Sequence, residues 1–94
     1  MALLVQKYGG SSLANADLIR NVAGRIAKAH DKGNQIVAVV SAMGNNTNNL
    51  IALAHEVSYR PNTRELDLLL STGELVSCAL IAMALCSMEH KAIA

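Results

Sequence analysis

The N-terminal part of the chain places one amphipathic segment between two apolar runs, and this order constrains the fold most. Leu3–Tyr8 is predicted as a strand, and Gln35–Ser41 is a near-continuous β-branched run. Such a run is typical of a strand buried on both faces of a parallel sheet. Between them, apolar residues at three- and four-residue spacing predict a helix from near Leu13 to about Asp31. Strand, helix and strand in this order predict parallel strands with a right-handed crossover.

Two glycines lie at the junction between the first strand and this helix. Lys7 stands two residues before Gly9 and Gly10, and Ser11 and Ser12 follow directly. Glycines allow backbone N–H groups to approach a ligand, and a helix N-terminus favours an anion. Lysine supplies a point charge for a phosphoryl group. The stretch therefore predicts a phosphate site, while a plain turn with a helix cap is the alternative. It is neither a Walker A loop nor a Rossmann fingerprint.

The loop after the second strand should lie beside these glycines. The carboxyl ends of parallel strands share one edge of a sheet, and ligands bind at that edge. The loop Ser41–Asn49 contains hydroxyl and amide side chains that could face a small polar substrate. The alternative is that its asparagines serve only as turn formers and caps for a helix predicted at Leu50–Val57.

The second half of the chain carries a helical pattern that is interrupted once. An apolar stripe breaks at Ser71–Glu74 and resumes over Leu75–Met88. We expect either that Gly73 lets a neighbouring backbone approach closely, or that Thr72 caps a new helix with Glu74 in its first turn. The functional alternative is that Glu74 points to the ligand edge and binds an ammonium group.

Composition narrows the class of protein. The chain has 94 residues, enough for one domain at most, of which 52% are hydrophobic and 2% aromatic. A net charge of +1 without a basic cluster or aromatic platform argues against a nucleic-acid partner. The longest apolar run, Cys78–Cys86, is far shorter than the roughly 20 residues of a membrane span. We therefore predict no membrane span and no secretory signal.

Cysteines and histidines give no metal pattern in the sequence. Cys78 and Cys86 fall in one helical pattern, and we expect reduced core thiols in a cytoplasmic protein. His30, His55 and His90 are scattered without ligand spacing, so we expect surface or helix-end residues. The sequence thus predicts no metal ligands.

Three motifs follow one another along the chain: Lys7–Ser12, Val39–Gly44, and Arg64–Glu65 followed by Leu70–Glu74. Together they resemble the aspartokinases of the amino-acid kinase family. The resemblance covers the whole chain but only the opening part of a family member. It implies an α/β fold, a partial three-layer αβα sandwich with a parallel sheet. Residues 1–94 would be the N-terminal part of the catalytic domain, without the nucleotide half and the regulatory domains.

The resemblance also implies a reaction. Aspartokinases transfer a phosphoryl group from ATP, which is bound with Mg²⁺, to the side-chain carboxylate of L-aspartate. The products are 4-phospho-L-aspartate and ADP, and this is the first step of lysine, threonine and methionine biosynthesis. The implied partners are therefore L-aspartate and ATP, with an oligomer expected for the complete enzyme.

The family's site residues fall on two groups of positions. The phosphate- and nucleotide-binding group, whose lysine is also catalytic, corresponds to Lys7, Tyr8, Gly9 and Gly10. The substrate-binding group, whose serine lies near the transferring phosphoryl group and counts as catalytic, corresponds to Ser41, Thr47 and Glu74. Asparagines at 45, 46, 48 and 49 surround Thr47, where the family usually has acidic or hydroxyl residues.

Two strands with three or four helices are too few for a stable layered α/β domain. We therefore expect apolar helix faces to stay exposed, and no kinase activity from these residues alone. Three other functions remain open from the sequence. One is another amino-acid kinase, acting on acetylglutamate, glutamate, carbamate or a nucleotide. The others are a non-catalytic protein that docks onto a full-length subunit and a structural domain without a ligand.

Overall fold

A computed structural model describes residues 2–94 as a two-stranded parallel sheet with helices packed on one face. In chain order the elements are β1 (Leu3–Tyr8), a 3₁₀ turn (Gly10–Leu13), α1 (Ala16–Asp31), β2 (Gln35–Val40), α2 (Asn46–Val57) and α3 (Thr63–Ser87). The two strands pair in register from Leu3 opposite Gln35 to Tyr8 opposite Val40. The predicted parallel strand–helix–strand unit is confirmed.

The boundaries of α1 follow local side-chain chemistry. The helix begins at Ala16, later than predicted, because Gly10–Leu13 forms a separate 3₁₀ turn. The Asn15 side chain then caps the helix, its Oδ1 accepting from the Leu18 N–H at 2.9 Å. The helix ends at the predicted residue and is followed by Gly33 with φ of +94°. That left-handed conformation is favourable for glycine, which has no Cβ.

The predicted interruption of the second helical pattern is wrong, because α3 is continuous through it. The Thr72 hydroxyl donates to the Leu69 carbonyl at 2.6 Å, and the Ser71 hydroxyl donates to the Leu68 carbonyl at 2.7 Å. Both hydroxyls are therefore satisfied by the preceding turn, so neither is needed as a cap. Glu74 consequently lies in the middle of a helix, not in a first turn.

Two other predicted boundaries also change. Asn46 is the first residue of α2, so the polar loop after β2 is shorter than predicted. At the other end, the sequence of Glu89–Ala94 is typical of a turn and the start of a third strand; the turn is present, but no third strand forms within residues 2–94. The backbone of this segment enters no ladder with β1 or β2, although Ala92 packs against the core.

The core lies between the inner face of the sheet, α1 and α3. Its buried members are Leu13, Ile19, Val22, Ala23, Ile26, Ala27, Val40, Ile81 and Leu85. Strand residues alternate between this face and an outer face whose Leu3, Val5, Val37 and Val39 are 46–68% exposed. The prediction that β2 is buried on both faces is therefore wrong for the described residues, since helices cover only one side.

The molecule exposes more surface than a compact protein of its size. Its accessible surface is 6589 Å², whereas a compact 9.9 kDa protein exposes about 5200 Å². The radius of gyration is 15.3 Å, against about 12 Å expected for this length. Apolar side chains on the helices contribute to the excess, namely Leu53, Val57, Leu68, Leu75, Val76 and Met83. The prediction of exposed apolar helix faces is confirmed.

The helix α3 is long and apolar enough to cross a membrane by length and composition, with a mean hydropathy of 2.0 over an 18-residue window. The length of uninterrupted apolar runs does not reveal this property, because polar residues such as Glu74 interrupt them. One edge of the helix is buried in the domain: Gly73, Ser77, Ile81 and Leu85. Apolar residues of α3 therefore form part of the domain core.

The two cysteines are free thiols in different environments. Cys78 is half-buried and packs against the core, as predicted. Cys86 is exposed, so the prediction of a core thiol is wrong there. It follows Leu85, the last buried residue of α3, and one helical step turns the side chain by about 100° away from the core.

Replacing Leu13 with alanine should destabilise the intact protein by about 2–5 kcal/mol. The Leu13 side chain has no exposed surface, so its removal leaves a cavity in the core. Leu53→Ala is the matched control, because Leu53 is 51% exposed and its loss should cost far less. Urea unfolding of both variants measures the difference, and equal losses would contradict this assignment of the core.

Candidate functional site

The segments that follow β1 and β2 meet at the carboxyl edge of the sheet, as predicted. The Ser41 N–H donates to the Tyr8 carbonyl at 3.1 Å, and the Gly44 N–H donates to the Gly10 carbonyl at 2.9 Å. A Cβ placed on Gly10 would lie only 2.9 Å from the Ala42 carbonyl oxygen and 3.1 Å from that of Gly44. Packing of one loop on the other therefore requires glycine at position 10.

Gly9 lies in a different environment from Gly10. A Cβ placed on it would meet nothing within 4 Å among the residues described. It stands in extended conformation before the 3₁₀ turn, which no side chain caps within residues 2–94. Packing therefore explains Gly10 but not Gly9, whose backbone remains open to a ligand.

The two residues before the glycines project to opposite faces of the sheet. Tyr8 lies on the inner face, packs against the core and donates its hydroxyl to Gln6 Oε1 at 3.0 Å. Lys7 lies on the outer face with Val5 and Val39, which the described helices leave open. The predicted ligand contact of Tyr8 is thus restricted to its backbone, whereas the Lys7 side chain is free to reach a ligand.

The third motif reaches the same edge through Gly73. A Cβ on this residue would lie 2.9 Å from the Ala42 Cβ and 2.9 Å from Asn46 Nδ2. The close approach expected at Gly73 is confirmed, but its partners are side chains, not backbone. One turn further, the fully buried Ser77 hydroxyl donates to the Gly73 carbonyl at 3.5 Å. Glu74, the residue after Gly73, is exposed.

Thr47 lies exposed in the first turn of α2. Asn45 occupies the N-cap position, yet no side-chain hydrogen bond caps this helix within residues 2–94. The prediction that its asparagines act as caps is therefore wrong for Asn45. Uncapped N–H groups at a helix N-terminus favour an anionic group, such as a carboxylate.

Four of the predicted site residues are exposed, namely Lys7, Gly9, Thr47 and Glu74. A cavity of about 700 Å³ lies instead under the inner face of the sheet, between Ile36, Ile81 and the final residues. None of the predicted site residues within the described chain lines this cavity. The motif residues therefore lie apart from this cavity, near the carboxyl edge of the sheet.

A second polar cluster, made of His30, Asp31 and His90, lies where α1 and α3 end. His90 Nε2 is 2.9 Å from Asp31 Oδ1, and the rings of His30 and His90 lie edge to face at 5.6 Å. The hydrogen bond that the His90 ring donates to the Asp31 carboxylate raises the pKa of His90 and lowers the pKa of Asp31. Both histidines lie at helix ends, as predicted, and the convergence of those two ends brings the pair together.

The sequence model of the amino acid kinase family matches residues 2–94. The chain belongs to the amino acid kinase family. Its similar relatives are named aspartokinases. It is 54% identical over 92 residues to that of Mycolicibacterium smegmatis, covering 98% of this chain and 22% of the relative. It is 48% identical over 93 residues to that of Geobacillus stearothermophilus, covering 99% of this chain and 23% of the relative.

A solved structure supports the amino acid kinase fold. Aspartate kinase from Synechocystis superposes with a TM-score of 0.94 at 46% identity, over 99% of this chain and 16% of that chain. The predicted partial αβα sandwich is thereby confirmed. The chain spans about a fifth of the length of the curated relatives that it matches.

Sequence reasoning missed Ala42, which connects all three motifs of this amino acid kinase chain. Its carbonyl approaches Gly10, its Cβ approaches Gly73, and it is 4% exposed. An alanine carries no chemical signal of its own. The available signal was indirect: small residues recur in each motif, which is the pattern of segments that pack closely together.

Gly73→Ala should destabilise the intact protein, because the new methyl group would overlap the Ala42 Cβ. We expect a loss of about 1–3 kcal/mol, as for other overpacked sites. Gly24→Ala is the matched control, since a Cβ there meets nothing within 4 Å and alanine favours a helix by roughly 0.5–1 kcal/mol. Thermal unfolding of both variants checks the pair. Stabilisation by both substitutions would rule out the close contact at Gly73.

Proposed function

We propose that residues 1–94 supply the phosphate-binding loop and part of the aspartate site of an ATP-dependent aspartate kinase. The reaction converts L-aspartate and ATP to 4-phospho-L-aspartate and ADP, in the cytoplasm. The observation that carries the proposal is that Gly10 packs on the carbonyl oxygen of Ala42 while Gly73 packs on its Cβ. This contact brings three motifs that are distant in sequence to one edge of the sheet.

In this proposal Lys7 and the backbone around Gly9 stabilise the transferring phosphoryl group. Phosphoryl transfer depends mainly on positioning and charge stabilisation, because charge spreads over the phosphoryl oxygens. Lys7 projects from the outer face of the sheet, two residues before Gly9, where a Cβ would meet nothing within 4 Å among the described residues. A fixed cation and oriented N–H groups stabilise developing negative charge without reorganising in the transition state.

Aspartate would lie between α2 and α3. Its α-carboxylate suits the uncapped N-terminus of α2 next to Thr47, and its ammonium group suits the exposed Glu74 carboxylate. Ser41, at the end of β2, would then lie near the side-chain carboxylate that accepts the phosphoryl group. Holding both reactants in line can contribute roughly 7–11 kcal/mol in well-oriented systems.

Mg²⁺ would arrive with the ATP phosphates. This ion takes oxygen ligands, usually one or two carboxylates together with substrate phosphates. Glu74 is the one carboxylate among the site residues proposed here, and we assign it to the substrate ammonium group. In this proposal the residues of this chain therefore bind and orient the reactants.

A chimera tests the proposal directly. Residues 1–94 would replace the matching segment of the Mycolicibacterium smegmatis aspartokinase, to which they are 54% identical. We expect a coupled assay to show ADP formation that depends on both aspartate and ATP, and no turnover by the isolated 94-residue chain. A folded chimera without activity, beside an active parent enzyme, would overturn the proposal.

In that chimera, Lys7→Ala should lower kcat by about 10²–10³-fold, the usual effect of losing one donor to a developing anion. Lys32→Ala is the control, because Lys32 is an exposed lysine just beyond the C-terminus of α1. Initial rates at saturating ATP measure the change. Equal kcat values for the two variants would remove Lys7 from the mechanism.

Glu74→Gln should raise the KM for aspartate by about 10- to 150-fold, which corresponds to one charged hydrogen bond of about 1.5–3 kcal/mol. The KM for ATP should stay the same, because the substitution affects only the ammonium group of aspartate. Glu56→Gln, an exposed position on α2, serves as the control. A rise in the KM for ATP alone would instead place Glu74 at the nucleotide.

A further inference from the structure

The cluster His30, Asp31 and His90 offers ligand atoms for a metal ion. One imidazole nitrogen from each histidine and one carboxylate oxygen all lie within 4.8 Å of one another. In a tetrahedral zinc site with bonds of 2.0–2.2 Å, ligand atoms are about 3.5 Å apart. The cluster needs only a modest contraction, and the His30 and Asp31 side chains are 61% and 65% exposed and free to rotate.

The ring of His90 is oriented as in metal-binding histidines. Its Nδ1 lies 2.9 Å from the Met88 carbonyl oxygen, which can only accept a hydrogen bond. That contact keeps a proton on Nδ1, so Nε2, which shares a hydrogen bond with Asp31 Oδ1 2.9 Å away, is the nitrogen that a metal ion would take by displacing a proton. A carbonyl or carboxylate on the second ring nitrogen is the usual partner of a metal-binding histidine, because it fixes the tautomer.

The remaining two ligands come from the end of α1. His30 is in the last turn of this helix and Asp31 is its final residue. The negative end of the helix dipole and the Asp31 carboxylate both favour a cation at this position. His30 Nδ1 lies 3.9 Å from Asp31 Oδ1, so both side chains already face the same space.

We propose that His30, Asp31 and His90 bind a divalent transition-metal ion of the Zn²⁺ class, with a water molecule as fourth ligand. Two imidazoles and one carboxylate suit zinc and not Mg²⁺, which prefers oxygen ligands. The ion would join the end of α1 to the segment after α3, two places 59 residues apart in the chain. Its role would be structural, at the amino edge of the sheet.

This site is separate from the proposed kinase site. The 16 residues of α1 lie between them, a length of about 24 Å at 1.5 Å per residue. The metal proposal therefore does not depend on the proposed function, and its test needs no activity measurement.

The test is equilibrium binding of Zn²⁺ to the intact protein, with thermal unfolding as a second readout. We expect one Zn²⁺ per chain and a Tm that rises with ZnCl₂ but not with MgCl₂. His90→Gln and His30→Gln should each weaken Zn²⁺ binding at least tenfold and abolish the rise in Tm. His55→Gln, on the surface of α2, is the matched control and should leave both readouts unchanged.

Co²⁺ provides an independent check on the ligands. Tetrahedral Co²⁺ absorbs in the visible range, and this absorption should be present in the natural protein and lost in both ligand variants. Circular dichroism establishes that each variant is folded before binding is compared. Equal Zn²⁺ affinity in the natural protein and both ligand variants would overturn the proposal, as would a loss of affinity in His55→Gln of the same size.

Discussion

The close approach of three segments around Ala42 is the constraint on which the candidate site depends. Its carbonyl oxygen would be 2.9 Å from a Cβ on Gly10, and its Cβ would be 2.9 Å from one on Gly73. Because glycine packs on this buried alanine from both of the other segments, β1, β2 and α3 can converge. Larger residues at any of the three positions would separate the loops, and the residues assigned to phosphate and aspartate would no longer share an edge.

This convergence gives different physical meanings to residues that look alike in the sequence. Gly10 and Gly73 are required by packing, whereas Gly9 borders open space, so only its backbone remains for a ligand. Neighbouring Lys7 and Tyr8 likewise separate, because strand residues alternate between faces. One joins the core and the other projects from the uncovered face of the sheet. Within one short motif, residues required by packing thus alternate with residues that are exposed.

The sheet is covered by helices on one face only, which leaves apolar surface exposed to solvent. Parallel sheets normally have both faces covered, yet the outer face here exposes four large apolar side chains, Leu3, Val5, Val37 and Val39. The chain covers about a fifth of the length of its aspartokinase relatives, and its accessible surface exceeds that of a compact protein of equal mass by about 1400 Å². The fold is that of the amino acid kinase family, but these residues bury only one side of it.

Sequence patterns predicted some element boundaries correctly and missed others. Periodicity and the β-branched run placed both strands and the end of α1 correctly, because those signals depend on neighbours in the chain. The start of α1, the start of α2 and the continuity of α3 were missed. Each depends on a hydrogen bond or a turn, such as the Asn15 cap or the Thr72 hydroxyl bonded to Leu69. The same residues could equally well have started the helix elsewhere or capped a new one.

By itself, the sequence determined the parallel strand–helix–strand unit, the family resemblance and the positions of the motif residues. The tertiary structure alone decided which residues meet. It placed Ala42 between two glycines and brought His30 and His90 together across the ends of two helices. The reason is that spacing along a chain fixes the direction of a side chain within its own helix or strand. Distances between elements arise only when those elements pack.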